Sequence, residues 1–488
     1  MRVDWLGVRT TGLLAVFAVG VGGYHPFAED GGVYGAGVKR VLDPGMYGVR
    51  PEFVLEHPGF SLFAPLVAGV VRVSHAPLEW VLLGLYLASV WATLYGGWMI
   101  AARVGASGAG RCGAVALLAC WLTLPVAGTS LMLADPYLTA RSLTTALVLV
   151  AIAGALDGVR GGRRGWLLVA AGLVAAAAMH PLMAAYGLVA LLAVVATGRW
   201  QAVAALGAAA LLLAAVVQGM APAESAGYLW VERTRYYWFL SEWHWYEWMG
   251  LAAPLVVLAG LARRREGGVL ARGGLALGVI AAGIALGFAR IGYRTHLVAR
   301  LQPLRCFQMV YVFMILLLGA WLGERVLRDK AWRWAAMLAV LGGTMFLVQR
   351  SIYPASAHVE WPRSAPRNEW EQAFLWVRAN TPRDALFAMN AHYIQAEGED
   401  AQCFRAIAER DALPDYSKDG GEVSIMPSLT DAWVRGQAAQ AGIDDESDGE
   451  RAAKLKPLGV GWVVLAARSG TGWECPYGNG RVKVCRVR

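Results

Sequence analysis

Long apolar stretches, each of roughly the length of a membrane-spanning helix, recur along the first 350 residues between short polar loops. A helix needs about 20 mostly apolar residues to cross the hydrocarbon core of a bilayer. Spans are therefore predicted near 7–23, 78–101, 112–131, 141–157, 166–179, 182–197, 201–220, 250–262, 273–290, 306–323 and 333–349. The pattern predicts a polytopic α-helical membrane protein with about 11 transmembrane helices.

Two stretches depart from this regular pattern. Residues 59–75 are apolar but short and contain Pro65, which favours an amphipathic or partly inserted helix along the outer surface. Residues 166–197 are too long for one span, and His180-Pro181 lies at their middle, where proline interrupts a helix. Two short spans joined by a tight outer turn are therefore predicted.

The loops between the spans differ in charge, and this difference predicts the orientation of the chain. Arginines concentrate in one alternating set of short loops, which the positive-inside rule places in the cytoplasm together with the N-terminus. These loops carry Arg103 and Arg111, Arg160 to Arg164, Arg199, Arg263 to Arg272, and Arg325 to Arg333. An odd number of spans then puts the C-terminus outside. The first span lacks a small-residue cleavage site, so a retained helix is predicted and not a removed signal peptide.

The composition agrees with a membrane protein. Hydrophobic residues make up 57% of the 488 residues and charged residues only 16%, and the mean hydropathy is +0.45. A soluble protein of this length needs more polar surface, so the lipid bilayer is the predicted environment. The net charge of +9 is accounted for by the basic loops, and no nucleic-acid partner is predicted.

The chain becomes polar after Arg350. Helical and strand patterns alternate there, with helices predicted at 369–378, 428–441 and 446–457 and buried strands at 385–389 and 461–466. This alternation predicts a small extracytoplasmic α/β domain over 351–488. This domain follows a transmembrane module over 1–350. The outer loop of that module over 24–77 is predicted to bear surface helices.

Cysteine positions bear on the compartment of the terminal domain. Cys475 and Cys485 flank a turn that joins two predicted strands, close enough for a disulfide in an oxidising compartment. Two reduced, buried thiols are the alternative. No Cys-x-x-Cys or clustered histidine pattern predicts a structural metal site.

Charged residues with chemical potential gather in the first two outer loops. Glu29 and Asp30 come directly after the first span, His57 lies further along the same loop, and Asp135 and Arg141 lie in the second. A carboxylate at the bilayer surface is suited to general-base catalysis. The alternative is that Glu29 or Asp30 caps a helix beginning near residue 31.

A third outer loop, after the ninth span, is cationic and contains no acid. Its basic residues include Arg294, His296, Arg300 and Arg305. Guanidinium groups hold phosphate well, so the loop is a candidate phosphate site at the membrane surface. The alternative is an interfacial loop whose arginines reach lipid headgroups.

Aromatic residues crowd the outer loop over 228–248, among them Trp243. An aromatic belt at the membrane interface accounts for most of this enrichment. A sugar-stacking platform is the more specific alternative.

Several short motifs carry a resemblance to a known enzyme class. Phe27-Ala28-Glu29-Asp30 with Tyr34 matches a first-loop acid and a following aromatic, and Asp135-Pro136-Tyr137 stands where a second-loop acid is common. With the segments Leu301 to Arg305 and Trp376 to Pro382, the chain resembles the GT-C class of polyprenyl-phosphate-dependent membrane glycosyltransferases, in particular bacterial members of unassigned substrate. The Trp-Trp-Asp signature of oligosaccharyltransferases and the Asp-x-Glu of protein mannosyltransferases are absent, which disfavours those two subfamilies.

The resemblance implies transfer of a sugar, with inversion, from a polyprenyl-phosphate donor to a glycan, lipid or protein acceptor outside the bacterial cytoplasmic membrane. Asp30 is the implied base, with Glu29 as its alternative or support. The implied donor-phosphate ligands are Arg294, His296, Arg300 and Arg305. The implied acceptor or sugar contacts are Tyr34, His57, Asp135, Arg141 and Trp243. A divalent cation, Mg²⁺ or Mn²⁺, is compatible with Asp30 and Asp135 as ligands.

Two other functional classes stay open at this stage. A transporter places ionisable groups inside spans and often shows an internal repeat, whereas the predicted spans here are almost uncharged and no repeat is evident. A non-enzymatic membrane scaffold for cell-envelope assembly would leave the polar outer loops without a shared site.

Overall fold

The computed structural model describes residues 4–55, 57–264, 267–396, 400 and 402–488; for 55, 57 and 58 it describes the backbone alone. The chain forms two compact units. The first, called here the helical unit, comprises Met1–Gly22, Gly84–Ser225 and Arg235–Val348. The second, the mixed unit, comprises Gly23–Leu83, Ala226–Thr234 and Gln349–Arg488. The contacts therefore group the first outer loop with the terminal residues, although a single boundary at residue 350 was the sequence-based expectation.

Helices occur at all eleven positions where spans are predicted. Their bounds are Trp5–Gly22, Leu78–Arg103, Gly108–Cys120, Ala140–Gly158, Arg163–Met179, Pro181–Ala196, Trp200–Met220, Trp245–Leu261, Gly268–Phe288, Phe307–Leu322 and, as one helix with a π-helical middle, Ala331–Ile352. Short helical turns at Leu297–Arg300 and Gly323–Leu327 extend the tenth of these helices at its two ends.

Length and apolar character make this a multi-pass membrane protein. Among the described residues, seven helices are long and apolar enough to cross a bilayer: Trp5–Gly22, Leu78–Arg103, Ala140–Gly158, Trp200–Met220, Gly268–Phe288, Leu297–Leu327 and Ala331–Ile352. Gly108–Cys120, Pro181–Ala196 and Trp245–Leu261 are apolar but shorter. The apolar stretch at 59–75 forms the 12-residue helix Phe63–Ser74, which is too short to span the hydrocarbon core.

The predicted interruption at His180 is confirmed. One helix ends at Met179 and the next begins at Pro181, whose fixed φ suits a first helical position. The ring Nδ1 of His180 accepts a hydrogen bond from the amide of Met183 at 3.4 Å and so caps the second helix.

The predicted span at 112–131 is only partly correct. Its helix ends at Cys120, and the chain then forms a short antiparallel hairpin that pairs Pro125–Val126 with Leu131–Met132. Gly128 and Ser130 have φ values of +64° and +55°, which a continuing helix does not allow. The apolar residues of this segment therefore belong to a buried turn and not to a longer span.

Glycine permits close packing inside the helical unit. A Cβ atom on Gly113 would lie 2.2 Å from the carbonyl oxygen of Gly319 and 2.9 Å from the Cα of Gly323. Gly319 and Gly323 are four residues apart, so they lie on one face of their helix. The two backbones meet there, which is the small-residue packing typical of membrane helices.

The terminal residues form the predicted α/β fold. Five strands pair in the order Asp411–Ala412, Leu386–Met389, Trp462–Ala466, Val482–Arg486 and Tyr477–Gly478. The first three run parallel to one another, and each of the last two pairs antiparallel with the strand before it in this order. The helices beside them are Glu369–Asn380, Phe404–Ala408, Lys418–Val423, Thr430–Gln440 and Asp448–Leu455. Leu386, Val463 and Leu465 lie in the core with Ile443 and Leu455. Cys475 and Cys485 form a disulfide beside the last two strands.

Four further helices belong to the mixed unit. Their bounds are Glu29–Leu42, Glu52–Leu55, Phe63–Ser74 and Ala226–Arg233. The last of them places Val231 in a core cluster with Phe53 and Trp433. Residues far apart along the chain therefore share one apolar core.

Backbone hydrogen bonds tie the start of the first outer loop to the terminal residues. The amide of Tyr24 donates to the carbonyl of His358 at 3.0 Å, and the amide of Glu360 donates to the carbonyl of Tyr24 at 2.9 Å. The amide of Cys403 donates to the carbonyl of Phe27, also at 3.0 Å. These bonds set the position of the acidic pair that follows at residues 29 and 30.

A buried hydrogen bond reinforces this junction. Nδ1 of His25 lies 2.9 Å from Oε1 of Glu360, and the imidazole stacks on Tyr353 with a centroid separation of 3.9 Å. Burial lowers the pKa of His25 to about 3, and burial raises the pKa of Glu360 to about 8. The contact is therefore a hydrogen bond between neutral groups and not an ion pair.

We expect Glu360 to make stability fall between pH 6.5 and 8.5. The folded protein keeps a proton on this carboxyl that the unfolded chain has already lost, so its contribution is full below the ordinary pKa of 4.5 and is lost as the pH rises through about 8. Glu360→Gln should remove the contribution of this carboxyl, about 2 kcal/mol across the window. Thermal midpoints of the protein in detergent, measured across this pH range, test the expectation.

The exposed Glu474 provides the control, because Glu474→Gln should leave the slope unchanged. The contribution of His25 to stability is lost only as the pH falls below 6.5, outside the measured window, so it does not obscure the result. Glu371, whose pKa burial also raises to about 8, contributes a slope of its own that remains in Glu360→Gln. An unaltered slope in Glu360→Gln would contradict the proton assignment.

Candidate active site

The acidic pair opens the helix Glu29–Leu42. Ala28 is the N-cap residue, and neither it nor another side chain caps the helix. The capping role considered for Glu29 and Asp30 is therefore wrong, since both residues lie within the first helical turn. Acids in a first turn are favoured by the helix dipole.

Both carboxylates contact one ammonium group. Oδ1 of Asp30 lies 2.9 Å from Nζ of Lys418, and Oε2 of Glu29 forms an ion pair with the same nitrogen. The acid side chains are 31% and 34% exposed, whereas that of Lys418 is 17% exposed. The two carboxylates are therefore more accessible to solvent, and to a substrate, than the Lys418 ammonium is.

The two acid side chains contact the same ammonium, although successive side chains of a regular element diverge. Glu29 instead has a φ of +51°, in the left-handed region that non-glycine residues adopt at a cost of about 1–3 kcal/mol. This turn of the backbone lets both side chains reach Lys418.

The charge of Lys418 depends on the acidic pair. Burial on its own would lower the pKa of the ammonium, but Asp30 and Glu29 outweigh this effect and hold the pKa well above its usual value. Lys418 begins the helix Lys418–Val423, and its amide donates to Oδ1 of Asp415 at 2.6 Å. Burial, followed by the nearby Asp419, raises the pKa of Asp415 to about 7.

A small cavity lies beside this cluster. Its volume is about 30 Å³, enough for a water molecule, and Gly32, Tyr393, Arg405 and Lys418 are among its lining residues. Arg405 donates two hydrogen bonds to Asp419, at 2.7 and 2.9 Å. Its buried Nε has no hydrogen-bond partner within the described chain, and Arg405 lines the cavity.

Cys403 packs tightly under the acidic pair. Its Sγ lies 3.0 Å from the carbonyl oxygen of Glu29, and burial raises the pKa of the thiol well above its usual value. A Cβ atom on Gly32 would lie 2.1 Å from the Cβ of Cys403 and 2.7 Å from the carbonyl oxygen of Phe27. Glycine at position 32 is therefore required for this approach.

The second-loop residues form their own buried pair in the helical unit. Nη2 of Arg141 donates to Oδ2 of Asp135 at 2.8 Å, and both residues are buried. The sequence placed them near each other, but the contact itself depends on the turn before the helix Ala140–Gly158. Removing one partner would leave a buried charge uncompensated.

Three of the four predicted phosphate ligands are already engaged. Arg300 pairs with Glu224, Nη2 of Arg294 donates to the carbonyl of Gly219 at 3.2 Å, and Nε2 of the buried His296 lies 3.0 Å from the carbonyl of Ile291. The cationic loop is acid-free in sequence, yet Glu224 supplies a carboxylate from the preceding loop. Its Oε2 also accepts from the amide of His296 at 2.9 Å.

Arg305 differs from the other three. Its guanidinium lies 5.7 Å from the ring centroid of Tyr237, and its buried Nε has no hydrogen-bond partner among the described residues. Oε1 of Gln302 is likewise buried without such a partner. Both residues line a cavity of about 10 Å³ together with Thr129 and Trp238.

The remaining predicted contacts are less accessible. Trp243 is buried, with its ring packed on Gly128, where a Cβ would lie 2.5 Å from the ring; it is therefore not an exposed stacking surface. Tyr34 is also buried, edge-on to Phe63 at 4.9 Å. The side chain of His57 lies outside the described residues.

Sequence reasoning did not identify Lys418 or Arg405 as site residues. Lys418 is 388 positions from Asp30, and nothing in its local sequence singles it out. The acids Asp415 and Asp419 near Lys418 are visible in sequence. They do not indicate that Lys418 is the cation that contacts the first outer loop.

No family model and no curated protein matches the chain. Among solved structures it is similar to the Archaeoglobus fulgidus oligosaccharyltransferase tethered to an acceptor peptide containing the NVT sequon, with 12% identity over 95% of this chain and 69% of that chain and a TM-score of 0.45. The same enzyme in complex with Zn and sulfate gives 12% identity, 94% and 68% coverage, and a TM-score of 0.44. The archaeal oligosaccharyltransferase AglB from A. fulgidus, with an inhibitory peptide and a dolichol-phosphate, gives 12% identity, 95% and 70% coverage, and a TM-score of 0.39. At these scores the likeness does not establish a shared fold or activity.

Gly32→Ala should destabilise the protein because the added methyl group overlaps Cys403 and the backbone at Phe27. An overpacked site of this kind costs about 1–3 kcal/mol. Gly48→Ala is the matched control, because a Cβ there meets nothing within 4 Å. Thermal midpoints in detergent should fall for Gly32→Ala alone; equal midpoints for the two variants would contradict the packing at Cys403.

Proposed function

We propose that this protein is a membrane glycosyltransferase that moves a sugar from a polyprenyl-phosphate donor to an acceptor hydroxyl at the outer face of the bacterial cytoplasmic membrane. The observation that carries the proposal is the Glu29–Asp30–Lys418 cluster. Two partly exposed carboxylates converge there through a strained backbone turn, one short step after the first apolar helix. Strained residues of this kind cluster at active sites.

Asp30 is the proposed base. As the acceptor oxygen attacks the anomeric carbon, its O–H bond breaks and the proton passes to the Asp30 carboxylate. A new bond forms between the acceptor oxygen and the anomeric carbon, while the bond from this carbon to the phosphate oxygen breaks on the opposite side. The lipid phosphate leaves with the electron pair, and the sugar configuration inverts.

Glu29 and Lys418 are proposed as positioning residues. The ammonium holds Asp30 by a 2.9 Å contact, and it neutralises part of the negative charge of the pair. Glu29 engages the same ammonium, so it limits how strongly Lys418 binds Asp30 alone. The Asp30 side chain is 31% exposed, so an acceptor hydroxyl has access to it.

Arg305 is the proposed donor-phosphate ligand. Arg294, Arg300 and His296 each have a protein partner, whereas the Nε of Arg305 has none among the described residues. An unsatisfied buried guanidinium N–H is costly unless a ligand completes it. A phosphate oxygen is a strong acceptor for such a group.

Asp135, Arg141, Tyr34 and Trp243 are the proposed acceptor contacts. Asp135 and Arg141 bond to each other, and Tyr34 and Trp243 are buried. Asp30 and Asp135 each have a cationic protein partner, Lys418 and Arg141 respectively. A divalent cation at either carboxylate would face a like charge, so no step is assigned to a metal.

Asp30→Asn should reduce sugar transfer by about 100-fold or more, because the amide accepts no proton. Glu29→Gln should reduce it by a smaller factor. The measurement uses purified protein in vesicles with polyprenyl-phosphate-linked sugars, including dolichol-phosphate-linked ones, and offers glycan, lipid and peptide acceptors in parallel. Release of lipid phosphate and formation of product are both followed.

The matched control is Asp43→Asn, since Asp43 lies just after the same helix and pairs with the exposed Arg383. Thermal midpoints measured for every variant separate a structural role of the ion pair from a catalytic one. Full transfer activity in Asp30→Asn would reject Asp30 as the base.

Arg305→Gln should raise the KM for the donor by about tenfold or more, the value of one charge-assisted hydrogen bond. Arg305→Lys should restore part of the loss, because it keeps the charge without the planar guanidinium. Arg290→Gln is the control: Arg290 is exposed and its Nε donates to the carbonyl of Leu286 at 3.0 Å. An unchanged donor KM in Arg305→Gln would exclude this phosphate site.

A further inference from the structure

A sizeable cavity in the helical unit lies at the end that carries the basic loops. Its volume is about 550 Å³. Val104, Leu261 and Gly267 line it where three helices end or begin, and Leu317 to Arg325 line it from a fourth. A space of this size is within the range of small-molecule sites. None of the residues proposed for sugar transfer lines it.

Two arginines give the cavity a net positive charge. Arg264 and Arg325 both line it. In the described part of the chain neither guanidinium has a carboxylate or hydrogen-bond partner. The lining acid, Glu324, is engaged elsewhere, because its Oε1 accepts from the amide of Ser107 at 2.8 Å. The two cations are therefore available for an anion.

The other walls of the cavity are apolar. Leu261, Leu317 and Ala320 contribute hydrocarbon, and the Trp321 ring lies 5.8 Å from the Arg264 guanidinium. Trp321 stands near the end of an apolar helix, where tryptophan prefers the membrane interface. The cavity therefore combines a cationic part with an apolar wall near the membrane interface. This combination fits an amphiphile better than a small soluble anion.

We infer that this cavity binds an anionic glycerophospholipid from the bilayer. The phosphodiester lies at Arg264 and Arg325, and the first part of an acyl chain lies along Leu261 and Leu317. Basic pockets between membrane helices on the cytoplasmic side are suited to such headgroups. A zwitterionic lipid binds less well, because its cationic group meets the same two arginines.

The test measures lipid retention by the full chain purified in detergent. Phosphatidylglycerol and phosphatidylcholine with identical acyl chains are titrated and counted as bound adducts by native mass spectrometry. The wild-type protein should prefer phosphatidylglycerol. The double variant Arg264→Gln with Arg325→Gln should lose about 30-fold of that preference, since each of the two basic residues contributes roughly 1 kcal/mol to binding at an anionic lipid surface. Glycerol phosphate, the headgroup without chains, should not compete at equal concentration.

Two further variants make the result specific. Arg163→Gln with Arg164→Gln removes two exposed arginines from another basic loop and should leave the preference intact. Ala320→Leu narrows the cavity without changing charge and should reduce binding of both lipids. Equal phosphatidylglycerol preference in the wild type and the Arg264/Arg325 variant, an equal loss in the Arg163/Arg164 variant, or full competition by glycerol phosphate would each overturn the inference.

Discussion

The backbone pairing between residues 24–28 and the terminal residues is the constraint on which the candidate active site depends. The chain leaves its first apolar helix and within a few residues is hydrogen-bonded to His358, Glu360 and Cys403. Backbone bonds of this kind satisfy the polar groups of the buried segment and hold its register. The left-handed turn at Glu29 follows directly, so both acids take their direction from bonds made more than 330 residues away.

Charge pairing decides which polar groups are available for chemistry. Asp135 has Arg141, Arg300 has Glu224 and Asp419 has Arg405, and each of these pairs is largely withdrawn from solvent. Such pairs are maintained because separating them would leave an uncompensated charge. A buried cationic group without a hydrogen-bond partner among the described residues, such as Nε of Arg305, is therefore a better indication of a ligand site than the number of arginines in a loop.

Much of the fold could be predicted because it depends on local sequence. Apolar length located the helices, His180-Pro181 located a break, and strand and helix patterns after residue 350 located the elements of the sheet domain. The prediction at 112–131 was wrong in its second half because hydropathy does not distinguish a buried hairpin from a span. The candidate site could be predicted only in part: the acids were visible in sequence, but their convergence on one lysine required the positive φ of Glu29.

The sequence by itself determined that the chain is a multi-pass membrane protein, that its terminal residues form a small α/β fold, and which loops carry acids, arginines and aromatics. These properties follow from composition and from periodicities of a few residues. Only the tertiary structure decided that Lys418 binds the acidic pair, that Trp243 is buried and that Arg305 differs from the arginines near it. The physical reason is that each of these outcomes depends on contacts between segments distant in sequence, and such contacts are set by packing and charge compensation of the folded chain.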